Sequence, residues 1–196
     1  MTTTTLRDLV GLGQTPGKLA DAALILIDCQ NTYREGIMAL EGVEPALQQA
    51  KLLLEEARTL KVPVIHIQHD SGEGTPYDIR SYIGQIADVV APIAGEDVIT
   101  KHYPNSFVGT NLDDVLKAHG IKNIVLAGFM THMCVNSTAH GGFNLGYAPT
   151  VVASATATRA LPGADGKIIP ASQVHAAALA ATRDLYAAIA NTIDEV

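Results

Sequence analysis

Three residues of different reactivity stand at comparable points along this chain. Asp28 ends the apolar run AALILID, Lys101 ends DVITK, and Cys134 lies just past the apolar run Ile121–Ala127. The stretch GFMTHMCVNSTAHGG, Gly128 to Gly142, reads as a buried strand giving way to a sharp polar turn and then a helix opening near Thr131. A cysteine in the first turn of a helix faces unpaired backbone N–H groups and the positive end of the helix dipole, which favour thiolate over thiol. The same N–H groups can hold an oxyanion formed on a substrate carbonyl.

Cysteine attack on a carbonyl needs a base for the thiol proton, a charge that stabilises thiolate, and donors for the oxyanion. Asp28 fits the base, which later returns the proton to a leaving amine. A carboxylate is a poor base for an ordinary thiol, so Lys101 and the helix terminus are expected to lower the thiol pKa toward it. Such a trio would hydrolyse an amide or ester through a thioester.

The elements that must position these groups alternate along the chain. Ala22–Asp28, Lys61–Gln68, Asp97–Lys101, Ile121–Ala127 and PTVVAS read as strands, the continuous apolar runs indicating coverage on both faces. Val43, Leu47, Ala50, Leu54 and Ala57 recur at helical spacing. Further helices are expected weakly over 79–90, over Leu112–His119 closed by Gly120, from about His132 to Leu145, and last from Ser172 as N-cap. Val174, Ala177, Ala181, Leu185 and Ala188 form the inner face of that last helix. The fold class is therefore α/β, a single-domain, doubly wound, Rossmann-like sheet, mostly parallel and flanked by helices. Residues 1–20 read as a flexible lead-in and 21–196 as the domain. Ligands in such sheets bind at the carboxyl ends of strands, where all three reactive residues stand.

Composition narrows the function. A chain of 196 residues can bury a full-sized core. A net charge of −7 without a Lys/Arg cluster argues against nucleic acid. No run reaches the length of a membrane span, and no signal-peptide core is evident at the N-terminus. Two cysteines, Cys29 and Cys134, are too few for a disulfide framework, so a reducing cytoplasm is the natural compartment. Cys29 reads as core packing. The seven histidines show no zinc-like spacing, and no metal or other cofactor is expected. GLGQTPG at 11–17 follows no strand and lacks the residues of a phosphate loop.

LILIDCQNTY around Asp28, VITKHYPNSFVGT around Lys101 and LAGFMTHMCVNSTA around Cys134 together resemble the isochorismatase-like cysteine hydrolases, which include nicotinamidases and other small-amide hydrolases. The resemblance runs over nearly all of the chain after the lead-in. It implies the isochorismatase-like hydrolase fold, with Asp28, Lys101 and Cys134 as catalytic triad and the N–H groups of Met130 and Cys134 as oxyanion hole. It also implies a cis Phe129–Met130 bond, a small-molecule substrate, and a homo-oligomer. Three positions depart from the family pattern: Thr32 and Ser154 stand where many relatives carry acids, and HIQHD lacks the Asp-x-His spacing of metal-binding nicotinamidases.

Around the triad, Gln30, Tyr33, His69, Tyr103, Phe107 and His132 are candidates for substrate contact, each lying within a few residues of a strand end. Gly141 and Gly142 suggest close approach of their helix to the sheet or to another subunit. The alternatives are vinyl-ether hydrolysis of the isochorismatase type, an idle relative serving as a binding or regulatory subunit, and a redox thiol that pairs with Cys29.

Overall fold

The computed structural model describes residues 3–196. In chain order its elements are α1 (Leu6–Leu9), β1 (Ala22–Ile27), α2 (Val43–Leu60), β2 (Val64–His69), β3 (Asp97–Lys101), α3 (Leu112–Ala118), β4 (Asn123–Phe129) and α4 (Asn136–Asn144). The chain continues through β5 (Ala148–Ala157), β6 (Leu161–Pro162), β7 (Ile168–Ile169), α5 (Ala171–Leu185) and β8 (Ala188–Ala190). Six strands form one parallel sheet in the order β3-β2-β1-β4-β5-β8, and β6 and β7 make a separate small hairpin. The sheet winds outward from β1 in both directions, so the reversal point lies between β1 and β4.

Alternate side chains of the central strands supply two cores, which is why their sequences are apolar without a break. Leu24, Leu26, Val125 and Ala127 pack beneath α2, whose Leu47, Ala50, Leu54 and Ala57 form the apolar stripe read from spacing. Ile25, Ile27, Ile65 and Leu126 face Leu112 and Leu116 of α3 and Ala139 of α4. No helix among the described residues is long and apolar enough to cross a membrane.

Several elements differ from the sequence expectation. Residues 79–90 form two single 3-10 turns, Tyr82–Gly84 and Asp88–Val90, in place of a helix. The exit from β1 claims that backbone: Asn31 N–H donates to Gln85 O at 2.9 Å and Ala87 N–H to Cys29 O at 2.8 Å. Helix α5 starts at Ala171 after Pro170, whose carbonyl accepts the first N–H groups, and Ser172 is not its cap. Its buried residues are Ala171, Val174 and Thr182, while Ala177 and Ala181 are exposed and Ala188 belongs to β8. Alanine on every side of this helix leaves no apolar stripe for spacing to detect. Before β1, Arg7 donates to Gly13 O and Leu185 O, which fastens the lead-in to the end of α5.

Two glycine positions are set by close approach. A Cβ at Gly141 would lie 2.4 Å from the Asn105 amide, and one at Gly142 would lie 2.9 Å from Ile124 Cδ1. These contacts lie within the chain, between α4 and the sheet and the loop after β3. Gly128 is more constrained. Its φ is +114°, and a Cβ there would sit 2.0 Å from Ile27 O. Only glycine lets the end of β4 close on the end of β1, where Asp28 emerges. Gly128→Ala is therefore expected to lower stability by about 2–4 kcal/mol. A denaturant midpoint close to that of the parent would show that the approach is not required.

Candidate active site

The chain leaves β1 at Asp28 with φ +50°, a left-handed conformation that aspartate adopts more readily than most residues. Asp28 N–H still bonds Ile67 O at 2.9 Å, so the turn begins within the sheet and drives the carboxylate inward. Lys101 ends the edge strand β3, in register with His69 of β2. Two strand spacings, about 10 Å, separate it from β1, so Lys101 and Asp28 must extend toward each other. A long unbranched lysine passes over the end of β2 to do so. Cys134 follows β4 across the cis Phe129–Met130 peptide and sits in the π-helical turn Thr131–Val135, which runs into α4.

These three residues meet. Lys101 Nζ lies 2.7 Å from Asp28 Oδ2 and 3.4 Å from Cys134 Sγ, and both charged side chains have no solvent exposure. The ammonium meets Asp28 off the hydrogen-bonding direction, so both carboxylate oxygens keep free lone pairs. Nζ also lies 3.2 Å from Nδ1 of His69.

Burial governs the titration of the cluster. It pushes Asp28 up, against the opposing pull of Lys101. Burial, and then the Asp28 charge, push the Cys134 thiol up to about 12, with Lys101 recovering only part of the shift. The expectation of a depressed thiol is thus reversed at rest. A sequence places a cysteine beside a lysine and a helix start, and does not show that a carboxylate and a dry pocket outweigh both. Beside one cation the two raised acids share a single negative charge, so the cluster is neutral overall, and the remaining proton belongs to Asp28 and Cys134 jointly.

A cavity of about 150 Å³ opens over the sulfur, lined by Tyr33, His69, Tyr77, Pro104, Met130, Met133 and Cys134. Of the six contact candidates, Tyr33 and His69 are on its wall. Tyr33 is wedged edge-on between Tyr77 and Phe129. Gln30 lies off the wall. Its amide donates to His69 O and Gly84 O and accepts from His69 N–H, clamping the ends of β1 and β2 to the following turn. Phe107 stacks on Tyr147 beneath α4, at 5.7 Å between ring centroids. Tyr103 is 57% exposed, and its neighbour Pro104 contributes to the wall. His132 bonds Thr158 and faces a different groove, beneath the β6–β7 hairpin. Tyr77 and Met133 escaped sequence reasoning. Met133 adjoins the nucleophile candidate, but Tyr77 sits in a turn-rich loop whose path only the fold reveals.

At the turn itself, the Met130 carbonyl accepts from Met133 N–H at 3.0 Å and Val135 N–H at 3.3 Å, bypassing Cys134. Among the described residues no three His, Cys, Asp or Glu side chains converge as a metal site would require.

The Isochorismatase domain family model matches residues 22–194. The secreted isochorismatase effector Isc1 of Verticillium dahliae is 33% identical over 189 residues, covering 96% of this chain and 97% of that one. The crystal structure of an isochorismatase from Pseudomonas putida matches with a TM-score of 0.95 and 36% identity over all of both chains. This chain belongs to the isochorismatase family of hydrolases. More distant members bear amide-cleaving names. Ureidoacrylate amidohydrolase RutB of Stutzerimonas stutzeri is 29% identical over 175 residues, 71% of each chain. N-carbamoylsarcosine amidase of Thermoplasma acidophilum matches with a TM-score of 0.72 and 26% identity, covering 87% of this chain and 95% of that one.

Because the carboxylate raises the thiol, removing its charge should activate the sulfur toward a simple electrophile. Asp28→Asn is expected to speed iodoacetamide alkylation of Cys134 at pH 8 about tenfold, the factor that one unit of pKa gives. Lys101→Met should slow it. Peptide mapping of the alkylated protein reads both, and a slower Asp28→Asn protein would refute this account of the charge balance.

Proposed function

We propose that this chain is a cysteine hydrolase that cleaves a small amide or related C–N bond through a thioester on Cys134. The observation that carries the reading is the contact of one buried ammonium with both the Asp28 carboxylate and the Cys134 sulfur, at the foot of a small cavity. The amide-cleaving names among the relatives support the substrate class.

In this reading Cys134 Sγ attacks the carbonyl carbon while Asp28 takes the thiol proton on a free lone pair. The burial that raises Asp28 brings its basicity toward that of the thiol, which makes the transfer feasible. The oxyanion accepts from the N–H groups of Met130 and Cys134, the latter bypassed by the Met130 carbonyl. The C–N bond breaks as Asp28 returns its proton to the leaving nitrogen. Water then gives a proton to Asp28 and attacks the thioester, releasing the acid and restoring the thiol. Lys101 faces one negative charge at every stage, so the site stays neutral overall.

The cavity limits the acyl part of the substrate. An apolar cavity of about 150 Å³ holds a molecule the size of benzene, so the group on the carbonyl is small, and Tyr33, Tyr77, Met130 and Met133 make its surroundings mainly apolar. Two free thiols suit a reducing compartment, hence the cytoplasm, although the relative Isc1 is by name secreted; cell fractionation reads this directly. We also expect the working form to be a homo-oligomer, which sedimentation measures.

A raised Asp28 would equally serve to protonate a vinyl ether without any covalent step, and Cys134→Ala separates the two routes. Against a panel of small primary amides and ureides, Cys134→Ala is expected to lower kcat by about 10³-fold or more. Acid-quenched parent enzyme should carry the acyl mass on the Cys134 peptide. Full turnover by Cys134→Ala would rule the thioester out.

A further inference from the structure

Lys101 has a third partner that the triad does not include. Its Nζ lies 3.2 Å from His69 Nδ1, 2.7 Å from Asp28 Oδ2 and 3.4 Å from Cys134 Sγ. An ammonium has three N–H donors and no acceptor, so its contact with Nδ1 requires that nitrogen to be unprotonated. The other ring nitrogen, Nε2, lies 2.9 Å from Ser71 Oγ and carries the proton toward it. The ring is held edge-on against Tyr77 at 5.1 Å, and both backbone groups of His69 are clamped by Gln30. Position, tautomer and plane are therefore all fixed.

We propose that His69 is a positioning residue, a neutral acceptor that completes a three-point cradle for the Lys101 ammonium and holds its charge between Asp28 and Cys134. This rests on the triad reading given above. The geometry explains why a third partner is needed. Lys101 reaches the site from an edge strand along a flexible stem, and as the proton passes between sulfur and carboxylate the anion it faces changes place. With two acceptors, the ammonium would swing toward whichever carried the charge. With the His69 lone pair as a fixed third, it stays between them.

The ring keeps this role over the working pH range. The charged or titratable groups that face it are Lys101 at the end of β3, His102 just after it and Asp70 beside it, with Tyr77 edge-on against the ring. Burial first, and then Lys101 and His102, hold His69 down at about 4 against the opposing pull of Asp70. Protonation would place a second cation against Nζ, so the cradle is intact at neutral pH and is lost only in strong acid.

The test compares His69→Ala, His69→Asn and Ser71→Ala. Asparagine presents an amide oxygen near the place of Nδ1 and cannot carry a proton. His69→Ala is expected to lower kcat by about 10–100-fold with KM within about twofold, and His69→Asn to recover most of the loss. Ser71→Ala, which alters only the partner of Nε2, should lower kcat a few-fold. Alkylation of Cys134 by iodoacetamide between pH 6 and 10 reads the same cradle without a substrate. His69→Ala should slow alkylation at every pH in that range, and His69→Asn should restore the rate. An effect on KM alone would make His69 a substrate contact and overturn the proposal. So would a His69→Asn protein as impaired as His69→Ala, or a parent pH–rate limb near 6.5 that both variants abolish. Failure of the thioester reading would show instead as turnover by Cys134→Ala, an outcome independent of the alkylation rates.

Discussion

A lysine with no exposure to solvent is the constraint on which the rest of this structure depends. An ammonium taken out of water is tolerated only when paired, and removing its partner from a buried pair costs about 3–5 kcal/mol. Here the pairing is with Asp28 at 2.7 Å. The left-handed turn at Asp28, the glycine at 128 that lets β4 approach it, and the Gln30 clamp that ties β1 to β2 all bring an anion to where that cation ends. The core and the site are therefore one problem. The apolar layers under α2, α3 and α4 fix the strand ends, and the strand ends fix the place where the charge is balanced.

Sheet order explains why these residues come from such distant parts of the sequence. The reversal between β1 and β4 opens a crevice at the carboxyl ends of the strands, flanked by Asp28 on one side and the Cys134 turn on the other. Lys101 comes from two strands away, a gap that a lysine closes because the Asp28 side chain reaches back toward it, and that a shorter residue would leave open. Its strand position faces His69 directly, so the third partner is given by register alone. The histidine lies where the lysine stem must pass.

Much of this was legible in the sequence, and the failures follow a pattern. The buried strands show as unbroken apolar runs, α2 as a 3.6-residue stripe, and the three reactive residues as polar groups ending or following such runs. Each is a local signal. Strand β8 left none, because AIA directly follows an alanine-rich helix and is indistinguishable from its continuation. The turns at 79–90 answer to hydrogen bonds from the exit of β1, roughly fifty residues earlier. Gln30 and Tyr77 show the same limit in the site. Gln30 has the type and position of a ligand contact and serves as a clamp, while Tyr77 has no local mark and lines the cavity.

The thiol shows the limit most clearly, since its neighbours were read correctly and the direction of its shift was not. A cation and a helix start both favour thiolate, and in an open cleft they would prevail. In a dry pocket every charge is penalised first, and the single cation has already been claimed by Asp28. In the mechanism proposed above, the site gains an internal proton transfer. Moving the proton from Cys134 to Asp28 changes which group is the anion but leaves the total charge beside Lys101 unaltered, so the step needs no ion to enter or leave a water-poor cavity. A thiolate stabilised at rest would be a weaker nucleophile and open to oxidation. In the proposed route a thiol that ionises only as the carbonyl arrives would avoid both, and the same carboxylate would then activate the water that follows.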